Sequence, residues 1–252
     1  MLQPDLSIIY LAHEGWPGSP GSEQEIMDHC LGPFRSFLQA ACVKQPKKFL
    51  YISSGGAIYG NQSRLTISED VPLEPVSLYG KIKKLAETMG QKAWQNHGLP
   101  FLVARPGNAY GPGQVPGRGA GFVAAAIADI RQGIEVPVFG FPGTVRDYIH
   151  VKDLARGIRL VMESGEVGEA YNLGTGKGAD NRDILELLHP LVAAEGLQVR
   201  VRKKPPRACD VRSVVLENSK VFRKCGWRAE ISLQQGIQEM WRSASIHAGT
   251  PG

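Results

Sequence analysis

The sequence predicts an α/β fold built on a doubly wound parallel sheet. Short apolar runs, typical of buried strands, occur at residues 6–12, 49–52 and 101–104. Segments with apolar residues at helical spacing lie between them, one beginning after Ser22 and one near Tyr79. Because helices separate consecutive strands, we expect parallel strands joined by right-handed crossovers.

The first elements carry local signals of their own. The run at 6–12 is almost continuously apolar, which is typical of a strand buried on both faces of a sheet. Ser22 and Glu25 form a capping-box pattern at the start of the next helix, and Pro33 is expected to kink that helix. The second strand runs into small residues at 53–60, and in such sheets the carboxyl ends of the strands face the ligand.

The remaining elements follow from the same periodicities. The helix at Tyr79 is expected to end near Gln95. Further helices are predicted at 121–132, 153–163, 181–195, 218–225 and 232–246, and further strands at 136–139, 170–173 and 197–203. The chain has no internal repeat, and 252 residues suit one large or two small domains.

Composition argues against several classes of protein. With 42% hydrophobic and 21% charged residues the chain is expected to be globular, and no apolar run approaches the ~18 residues of a membrane span. Residues 1–15 lack a basic segment followed by an apolar core, so we expect no signal peptide and a cytoplasmic location. The net charge is +5, but the basic alternation at 200–204 is typical of the solvated face of a strand, so no nucleic-acid partner is expected.

Cysteine and histidine usage argues against a metal site. The four cysteines, Cys30, Cys42, Cys209 and Cys225, are scattered without a Cys-x-x-Cys pair. We expect them to be buried thiols. The histidines show no ligand spacing, so no metal is expected.

Tyr79 and Lys83 form the most informative local pair. Residues four apart share a face of a helix, so the phenol and the ammonium can enter one pocket. A free phenol has a pKa of about 10, so a tyrosine base that works near neutrality needs this pKa lowered by positive charge, and Lys83 is the nearest source. The alternative is a surface pair on an amphipathic helix, and the spacing alone leaves both open.

A glycine-rich turn normally opens a dinucleotide-binding sheet, where a helix N-terminus holds the pyrophosphate. No residue before Asp5 can supply this turn. Gly174 to Ala179 imitates the pattern, because it follows a strand, precedes a helix and has Glu195 downstream. Only one clear strand follows it, which is too little for a sheet built around that turn, so this interpretation is disfavoured.

Eight segments, in order, resemble the extended short-chain dehydrogenase/reductase family. They read DLSIIYLAH, FLYISSGGAIYG, SLYGKIKKLAE, ARPGNAYGPG, VRDYIHVKDLARG, YNLGTGKG, RACDV and KCGWRAEISLQQGI. Within that family the chain is most similar to NAD-dependent nucleotide-sugar epimerases and dehydratases, and above all to UDP-glucose (UDP-galactose) 4-epimerase-like proteins. The resemblance extends over residues 5–245.

The resemblance implies a Rossmann-like doubly wound parallel sheet, truncated at its N-terminus, with a smaller C-terminal α/β substrate domain. Residues 1–111 and 144–174 are assigned to the dinucleotide-binding domain, and 112–143 and 175–252 to the nucleotide-sugar domain. In complete members two βα units with the glycine turn precede the strand at 6–12, so roughly sixty residues are expected to be absent, through fragmentation, a late gene start or natural truncation. We therefore expect no tightly held NAD in the purified chain.

The resemblance also assigns catalytic and cofactor-binding residues. Tyr79 matches the acid/base of the family, and Lys83 matches its electrostatic partner, which also binds the nicotinamide ribose. The usual catalytic Ser or Thr position is Gly55 here, so the adjacent Ser54 is taken as the hydroxyl donor; otherwise its hydroxyl would cap the backbone. The positions that match cofactor contacts are Leu11, Ala12, His13, Ser53, Tyr79, Lys83 and Pro106.

Four further positions match substrate contacts. Asn108 resembles a residue that contacts the substrate diphosphate, and Asp210 resembles a partner on the ribose side. Arg146 and Arg207 match arginines that hold the nucleotide or its diphosphate, a role that suits the guanidinium fork. The alternative for both arginines is a structural ion pair. One departure lies in the first helix, where His29 replaces an Asn that commonly supports the site.

The activity implied by the resemblance is NAD-dependent epimerisation of a nucleotide sugar, expected to be UDP-linked, at C4 through a transient 4-keto sugar. A 4,6-dehydratase or a reductase is a lesser alternative, because a dehydratase needs an extra acid/base pair and residues 53–59 contain no Asp or Glu. The competing class is a truncated, catalytically inactive member that binds at most a nucleotide sugar or a protein partner. The family also implies a homodimer through the helices at 22–44 and 77–97.

Overall fold

The computed structural model describes residues 6–12, 22–117, 121–207 and 210–247. The strands are β1 (Ser7–Tyr10), β2 (Lys48–Ile52), β3 (Phe101–Pro106), β4 (Asn108–Tyr110), β5 (Val136–Phe139), β6 (Val145–His150), β7 (Ala170–Leu173), β8 (Gly178–Ala179), β9 (Val201–Lys204) and β10 (Ser213–Val214). The helices are α1 (Glu23–Lys44), α2 (Gly55–Ile58), α3 (Leu78–His97), α4 (Phe122–Arg131), α5 (Val151–Ser164), α6 (Asn181–Ala194), α7 (Ser219–Cys225) and α8 (Leu233–His247).

A four-stranded parallel sheet in the order β1-β2-β3-β7 organises the first part of the fold. Side chains alternate between its two faces, as the pleat of a strand requires. Phe49 and Tyr51 of β2 pack with α1 and α3, whereas Leu50 and Ile52 pack with α5 and α7 on the opposite face. The predicted Rossmann-like α/β fold with a doubly wound parallel sheet is therefore confirmed.

The first strand is less buried than the sequence predicted. Among the described residues β1 pairs only with β2, so it lies at an edge of the sheet. Tyr10 packs beneath α1, with its ring centroid 4.9 Å from that of Phe34. Ile9 and Leu11 point to the other face and are 41% and 62% exposed. The prediction of burial on both faces is wrong, because the described chain covers only one face of this strand.

A second group of elements follows β3. It contains a sheet in the order β10-β6-β4, with β8 also paired to β6, and the parallel pair β5-β9. Apart from β10, these strands share a hydrophobic core with α4, α6 and α8. Gly107 lies in the connection between the two groups and packs tightly on β6. A Cβ at this position would lie 2.6 Å from the carbonyl oxygen of Asp147. Only glycine allows so close a passage between β3 and β6.

The local predictions hold with shifted boundaries. Ser22 and Glu25 form the predicted capping box, and Pro33 lies inside α1. The predicted strand at 197–203 shortens to β9, and α5 begins two residues earlier than predicted. The sequence did not predict α2, β4, β6, β8 or β10. Cys225 is buried as expected, Cys30 and Cys42 are partly exposed, and Cys209 lies outside the described residues.

No helix in the described part of the chain is long and apolar enough to cross a membrane.

Candidate active site

The carboxyl ends of three parallel strands meet at one edge of the main sheet. Ser53 and Ser54 follow β2, Asn108 follows the end of β3, and Gly174 follows β7. Because the strands are parallel and in register, these positions lie on the same side of the sheet. In doubly wound sheets this edge binds ligands.

α3 brings Tyr79 to this edge. Ser77 caps the helix by accepting a hydrogen bond at 3.1 Å from the backbone N–H of Gly80. A Cβ at Gly80 would lie 2.4 Å from the carbonyl oxygen of Ala57, so the start of α3 packs directly on α2. This close packing places the first turn of α3 beside the turn that begins at Ser54.

Ser54 and Tyr79 form a side-chain hydrogen bond. Ser54 occupies the N-cap position of α2, but its hydroxyl makes no capping hydrogen bond. The capping alternative for Ser54 is therefore excluded. A Cβ at Gly55 would instead point into the core, 2.5 Å from Cδ1 of Leu216 and 3.0 Å from the carbonyl oxygen of Arg105. The hydroxyl that reaches the tyrosine is thus that of Ser54, and position 55 faces away.

The expected lowering of the phenol pKa is absent. Burial raises the pKa of Tyr79 above its ordinary value, while the hydrogen bond with Ser54 acts in the opposite direction. The Lys83 ammonium lies 5.7 Å from the centroid of the Tyr79 ring, over its face. Lys83, named from the sequence as the nearest source of positive charge, does not bring this pKa below its ordinary value in the described structure, where burial is the largest effect.

Lys83 is buried, with 3% of the residue exposed. Its ammonium donates one hydrogen bond, at 2.9 Å, to the carbonyl oxygen of Ile52, and it lies 5.0 Å from the centroid of the Tyr51 ring. Burial lowers the pKa of Lys83 to about 8, although Glu87 and Cys30 act to raise it. The ammonium has three donors. Two of them have no protein acceptor among the described residues.

A buried polar network that the sequence did not predict supports this helix. Arg105 of β3 forms a bidentate ion pair with Glu87 of α3, with distances of 3.1 and 2.7 Å. Arg105 also donates to the hydroxyl of Tyr59 at 2.9 Å, and Tyr59 donates to Oδ1 of Asn172 at 2.7 Å. The network therefore ties α3 to the end of α2 and to β7. Glu87 stands four residues after Lys83, so its spacing was the one available sequence signal.

The predicted cofactor positions occupy the same edge of the sheet, as far as they are described. Ser53 is buried, and its hydroxyl has no hydrogen-bond partner among the described residues. Pro106 ends β3 opposite Leu173, and Leu11 and Ala12 follow β1 and are exposed. His13 lies outside the described residues.

Asn108 adjoins the turn that carries Ser54. A Cβ at Gly56 would lie 2.8 Å from Oδ1 of Asn108 and 4.0 Å from Oγ of Ser54. Glycine at this position therefore allows the Asn108 amide to approach the Ser54 turn closely. The structure brings together Ser54, Tyr79, Lys83 and Asn108.

The predicted arginine sites form a second group. Arg207 and Asp210 make a bidentate ion pair with two distances of 3.0 Å, and the guanidinium lies 4.6 Å from the centroid of the Phe139 ring. Arg146 donates to the carbonyl oxygens of Val145 and Val211, each at 2.8 Å. Burial lowers the pKa of Arg146, and of its charged neighbours Asp210 acts to raise this pKa and Arg207 to lower it. Two guanidinium groups beside one carboxylate leave net positive charge for an anion.

The glycine-containing turn after β7 holds a carboxylate of the chain itself. Asp147 is buried and accepts four hydrogen bonds, from the backbone N–H groups of Thr175, Gly176 and Leu216 and from the Thr175 hydroxyl, at 2.7 to 3.1 Å. Burial raises the pKa of Asp147, although these hydrogen bonds act to lower it. The turn that imitates a dinucleotide fingerprint therefore has its N–H groups on Asp147.

Two other predicted features are easily located. His29, which replaces the usual supporting Asn, is exposed on α1. In the described ranges no group of three or more histidine, cysteine or acidic residues could hold a metal ion.

Solved structures with this architecture include two UDP-glucose 4-epimerases. The enzyme from Thermotoga maritima, solved with UDP-glucose, is 31% identical with a TM-score of 0.88, and the match covers 96% of this chain and 78% of that chain. The enzyme from Thermus thermophilus, in complex with NAD, is 29% identical with a TM-score of 0.85, covering 98% and 79%.

Curated relatives include both epimerases and dehydratases. A dTDP-glucose 4,6-dehydratase from Actinoplanes is 31% identical over 202 residues, which is 80% of this chain and 61% of the relative. A UDP-glucose 4-epimerase from Mycolicibacterium smegmatis is 30% identical over 200 residues, or 79% and 63%. The chain thus spans under two thirds of the length of these relatives.

The match to a family extends over most of the site. Residues 1–174 match the family described as NAD dependent epimerase/dehydratase, and this range contains Ser54, Tyr79, Lys83, Asn108 and Arg146. The range also includes every strand of the main sheet. The chain belongs to the NAD dependent epimerase/dehydratase family.

Proposed function

We propose that this protein catalyses the NAD-dependent epimerisation of a nucleotide sugar at C4. The observation that carries the proposal is the hydrogen bond between Ser54 and Tyr79, with the buried Lys83 ammonium 5.7 Å from the Tyr79 ring. A hydroxyl, a phenol and an ammonium in one partly buried group are suited to removing a proton from an alcohol. The fold and family membership support the same reaction class.

In the proposed reaction Tyr79 accepts the proton of the sugar 4-hydroxyl, while bound NAD would take the hydride from C4, which yields a 4-keto sugar. Once the keto sugar has turned over, the hydride would return to the opposite face of C4, and Tyr79 gives the proton back to the oxygen. Ser54 holds the phenol oxygen and can donate a hydrogen bond to the phenolate. Because burial raises the pKa of Tyr79, positive charge beside the ring is needed to form the phenolate near neutral pH.

NAD would supply the hydride acceptor and donor. The residues present fit its nicotinamide-ribose half, because Lys83 keeps two ammonium donors without protein acceptors among the described residues and Ser53 keeps a buried hydroxyl without a partner there. Lys83 and Ser53 would hold this half of the cofactor, with Pro106, Leu11 and Ala12 beside it. The relative from Thermus thermophilus was solved as an NAD complex, which supports the assignment.

The second group of residues would hold the diphosphate and nucleoside. Arg146 and Arg207 carry two positive charges against the single carboxylate of Asp210, and a guanidinium fork suits a phosphate. In the sequence, Asn108 lies between the Ser54 turn and Arg146. At this position it would contact the diphosphate close to the sugar. The relative from Thermotoga maritima was solved with UDP-glucose, so we propose a UDP-linked substrate.

Epimerisation is favoured over dehydration because the described part of the site lacks a free acid. Residues 53–59 contain no Asp or Glu. Of the buried acids nearest in the fold, Glu87 is held by Arg105 and Asp147 by four hydrogen bonds. Elimination of water requires an acid/base pair beside the tyrosine, and both carboxylates are already engaged.

The test is turnover in the presence of added NAD. Purified protein is incubated with NAD and UDP-galactose, and formation of UDP-glucose is followed by chromatography. We expect turnover that falls at least about 100-fold in Tyr79→Phe, in the range of general acid–base contributions. Tyr110→Phe is the matched control, because the Tyr110 hydroxyl makes one long contact, at 3.5 Å to the carbonyl oxygen of Ser232, in the hydrophobic core shared with α4, α6 and α8.

The competing function is a binder without catalysis. Titration calorimetry with UDP-glucose, with and without NAD, separates the two. Binding of UDP-glucose without turnover at any NAD concentration would establish the binder and refute the enzyme. Equal turnover by Tyr79→Phe and the unaltered protein would remove Tyr79 from the reaction.

We also propose a homodimer that forms through α1 and α3. These helices pack side by side, and Val43 and Leu85 on them are 79% and 40% exposed. Apolar groups exposed on paired helices suit a second copy of the same surface. Sedimentation should give a dimer mass that Val43→Glu with Leu85→Glu reduces to a monomer; an unchanged mass in the double variant would exclude this interface.

A further inference from the structure

The buried Arg105–Glu87 ion pair carries a large desolvation penalty if its only role is structural. Arg105 and Glu87 are 6% and 5% exposed, so two full charges have been removed from water inside the hydrophobic layer beneath α3. A buried pair of this kind is often no more stabilising than apolar side chains of the same volume. Stability alone therefore does not explain why the chain carries this ion pair.

The neighbours of Glu87 point to that role. Glu87 lies one helical turn after Lys83, which itself lies one turn after Tyr79, so the three side chains share one face of α3. The ionisable groups around the Lys83 ammonium are Tyr79 and Glu87 on α3, Tyr51 on β2 and Cys30 on α1. Glu87 is the one carboxylate of this set, and its charge is the largest influence that opposes the effect of burial on Lys83.

We propose that Glu87 is a positioning residue that keeps Lys83 protonated beside Tyr79, and that Arg105 fixes Glu87 in that position. The bidentate geometry holds both carboxylate oxygens, at 3.1 and 2.7 Å, so the carboxylate cannot turn towards water. The catalytic consequence of this inference rests on the proposed function. The charge state of Lys83 does not.

Arg105 also couples this charge to the rest of the site. Its third nitrogen donates to the Tyr59 hydroxyl, and Tyr59 is the C-cap residue of α2, the helix that begins at Gly55. The carbonyl oxygen of Arg105 lies 3.0 Å from the position of a Cβ on Gly55. One residue thus fixes the carboxylate behind Lys83, through its side chain, and contacts the turn that presents Ser54 to Tyr79.

The experiment titrates Lys83 directly. In protein labelled with ¹³C-lysine, the Cε resonance of Lys83 is assigned by its absence from Lys83→Met, and its shift is followed from pH 6 to 10. In Glu87→Gln we expect the midpoint to fall by about one pH unit, a tenfold smaller ratio of ammonium to amine, because a carboxylate has become a neutral amide. Glu87→Asp keeps the negative charge, so the Lys83 midpoint in this variant should stay close to that of the unaltered protein.

The matched control is Glu23→Gln. Glu23 pairs with Lys81 at 3.6 Å on the exposed side of the same helix, with 68% of its side chain exposed, so its removal changes net charge equally but should leave the Lys83 midpoint in place. If Glu87→Gln does not fold, Glu87→Met combined with Arg105→Met removes both charges together, and a smaller fall of the midpoint in the same direction is expected, because the guanidinium that opposes the carboxylate is lost with it.

Two outcomes separate this inference from the proposed function. A Lys83 midpoint in Glu87→Gln that equals that of the unaltered protein, with only a lower Tm, would make the pair a scaffold and overturn the inference. A lowered midpoint in a protein without epimerase turnover would sustain the inference and reject the proposed function. With turnover present, its alkaline limb should move to lower pH by the same amount as the midpoint.

Discussion

Moving the serine hydroxyl by one residue tests the assignment of Ser54. The double variant Ser54→Ala with Gly55→Ser places the hydroxyl at the position where the family usually carries it. In this fold a Cβ at position 55 would lie 2.5 Å from Cδ1 of Leu216 and 3.0 Å from the carbonyl oxygen of Arg105. The new hydroxyl would therefore enter the core, and the hydrogen bond to Tyr79 would be lost.

The size of the effect follows from these contacts. Overpacking of this kind costs about 1–3 kcal/mol. Replacing a helical glycine returns roughly 0.5–1 kcal/mol. A net loss of about 1–2 kcal/mol corresponds to a fall in Tm of roughly 2–8 °C for a chain of this size. Turnover should fall as far as in Ser54→Ala alone, because the moved hydroxyl cannot reach the phenol.

Thermal unfolding and NAD-dependent turnover are measured on the same samples. Gly32→Ser is the control, because a Cβ at Gly32 would meet no atom within 4 Å. The assignment would be refuted if the double variant had the same Tm as the unaltered protein and regained the turnover lost in Ser54→Ala. Position 55 would then face Tyr79.

Three further predictions concern charged groups. Asp147→Asn turns an amide nitrogen towards two of four buried donors, so we expect a loss of about 3 kcal/mol in urea unfolding, and an unchanged midpoint would contradict the bonding described. Lys83 has a folded pKa of about 8 against 10.5 when unfolded, so folding releases its proton at pH values between these two. The free energy of unfolding, relative to that of Lys83→Met, should therefore rise by about 3 kcal/mol from pH 8 to 10.5. A difference that does not change with pH would be inconsistent with a buried ammonium. Arg207→Ala should lower Tm by under about 2 °C, because the Arg207 side chain is 58% exposed, yet weaken UDP-glucose binding measured by calorimetry at least about tenfold; undiminished binding would remove Arg207 from the site.

The sequence carried those parts of the fold that depend on neighbours along the chain. The capping box at Ser22, the helical spacing of Tyr79 and Lys83 and the short apolar strands are local signals, and each is present in the structure. The exposure of Ile9 and Leu11 was mispredicted, because an apolar run states what a strand can bury and not what covers it. The division into two domains stays a prediction.

The residues of the candidate site stay a prediction, and their contacts and electrostatics could not be read from the sequence. Ser54 and Tyr79 are 25 positions apart, and their contact depends on how Gly80 packs against Ala57, which no spacing reveals. The raised pKa of Tyr79 follows from burial, which the sequence does not state. The Glu87–Arg105 pair joins a helix to a strand 18 positions away, and its partners could be paired only in three dimensions.

The hydrogen bonds between Asp147 and the Thr175 turn engage backbone donors that an anion from solution would need. A carboxylate that belongs to the chain is present at an effective concentration that free phosphate in solution does not reach. Competition by inorganic phosphate at this turn is therefore not expected, even at millimolar levels. Under the proposed function, any inhibition of nucleotide-sugar binding by phosphate should instead trace to Arg146 and Arg207, and should weaken with ionic strength as their field is screened.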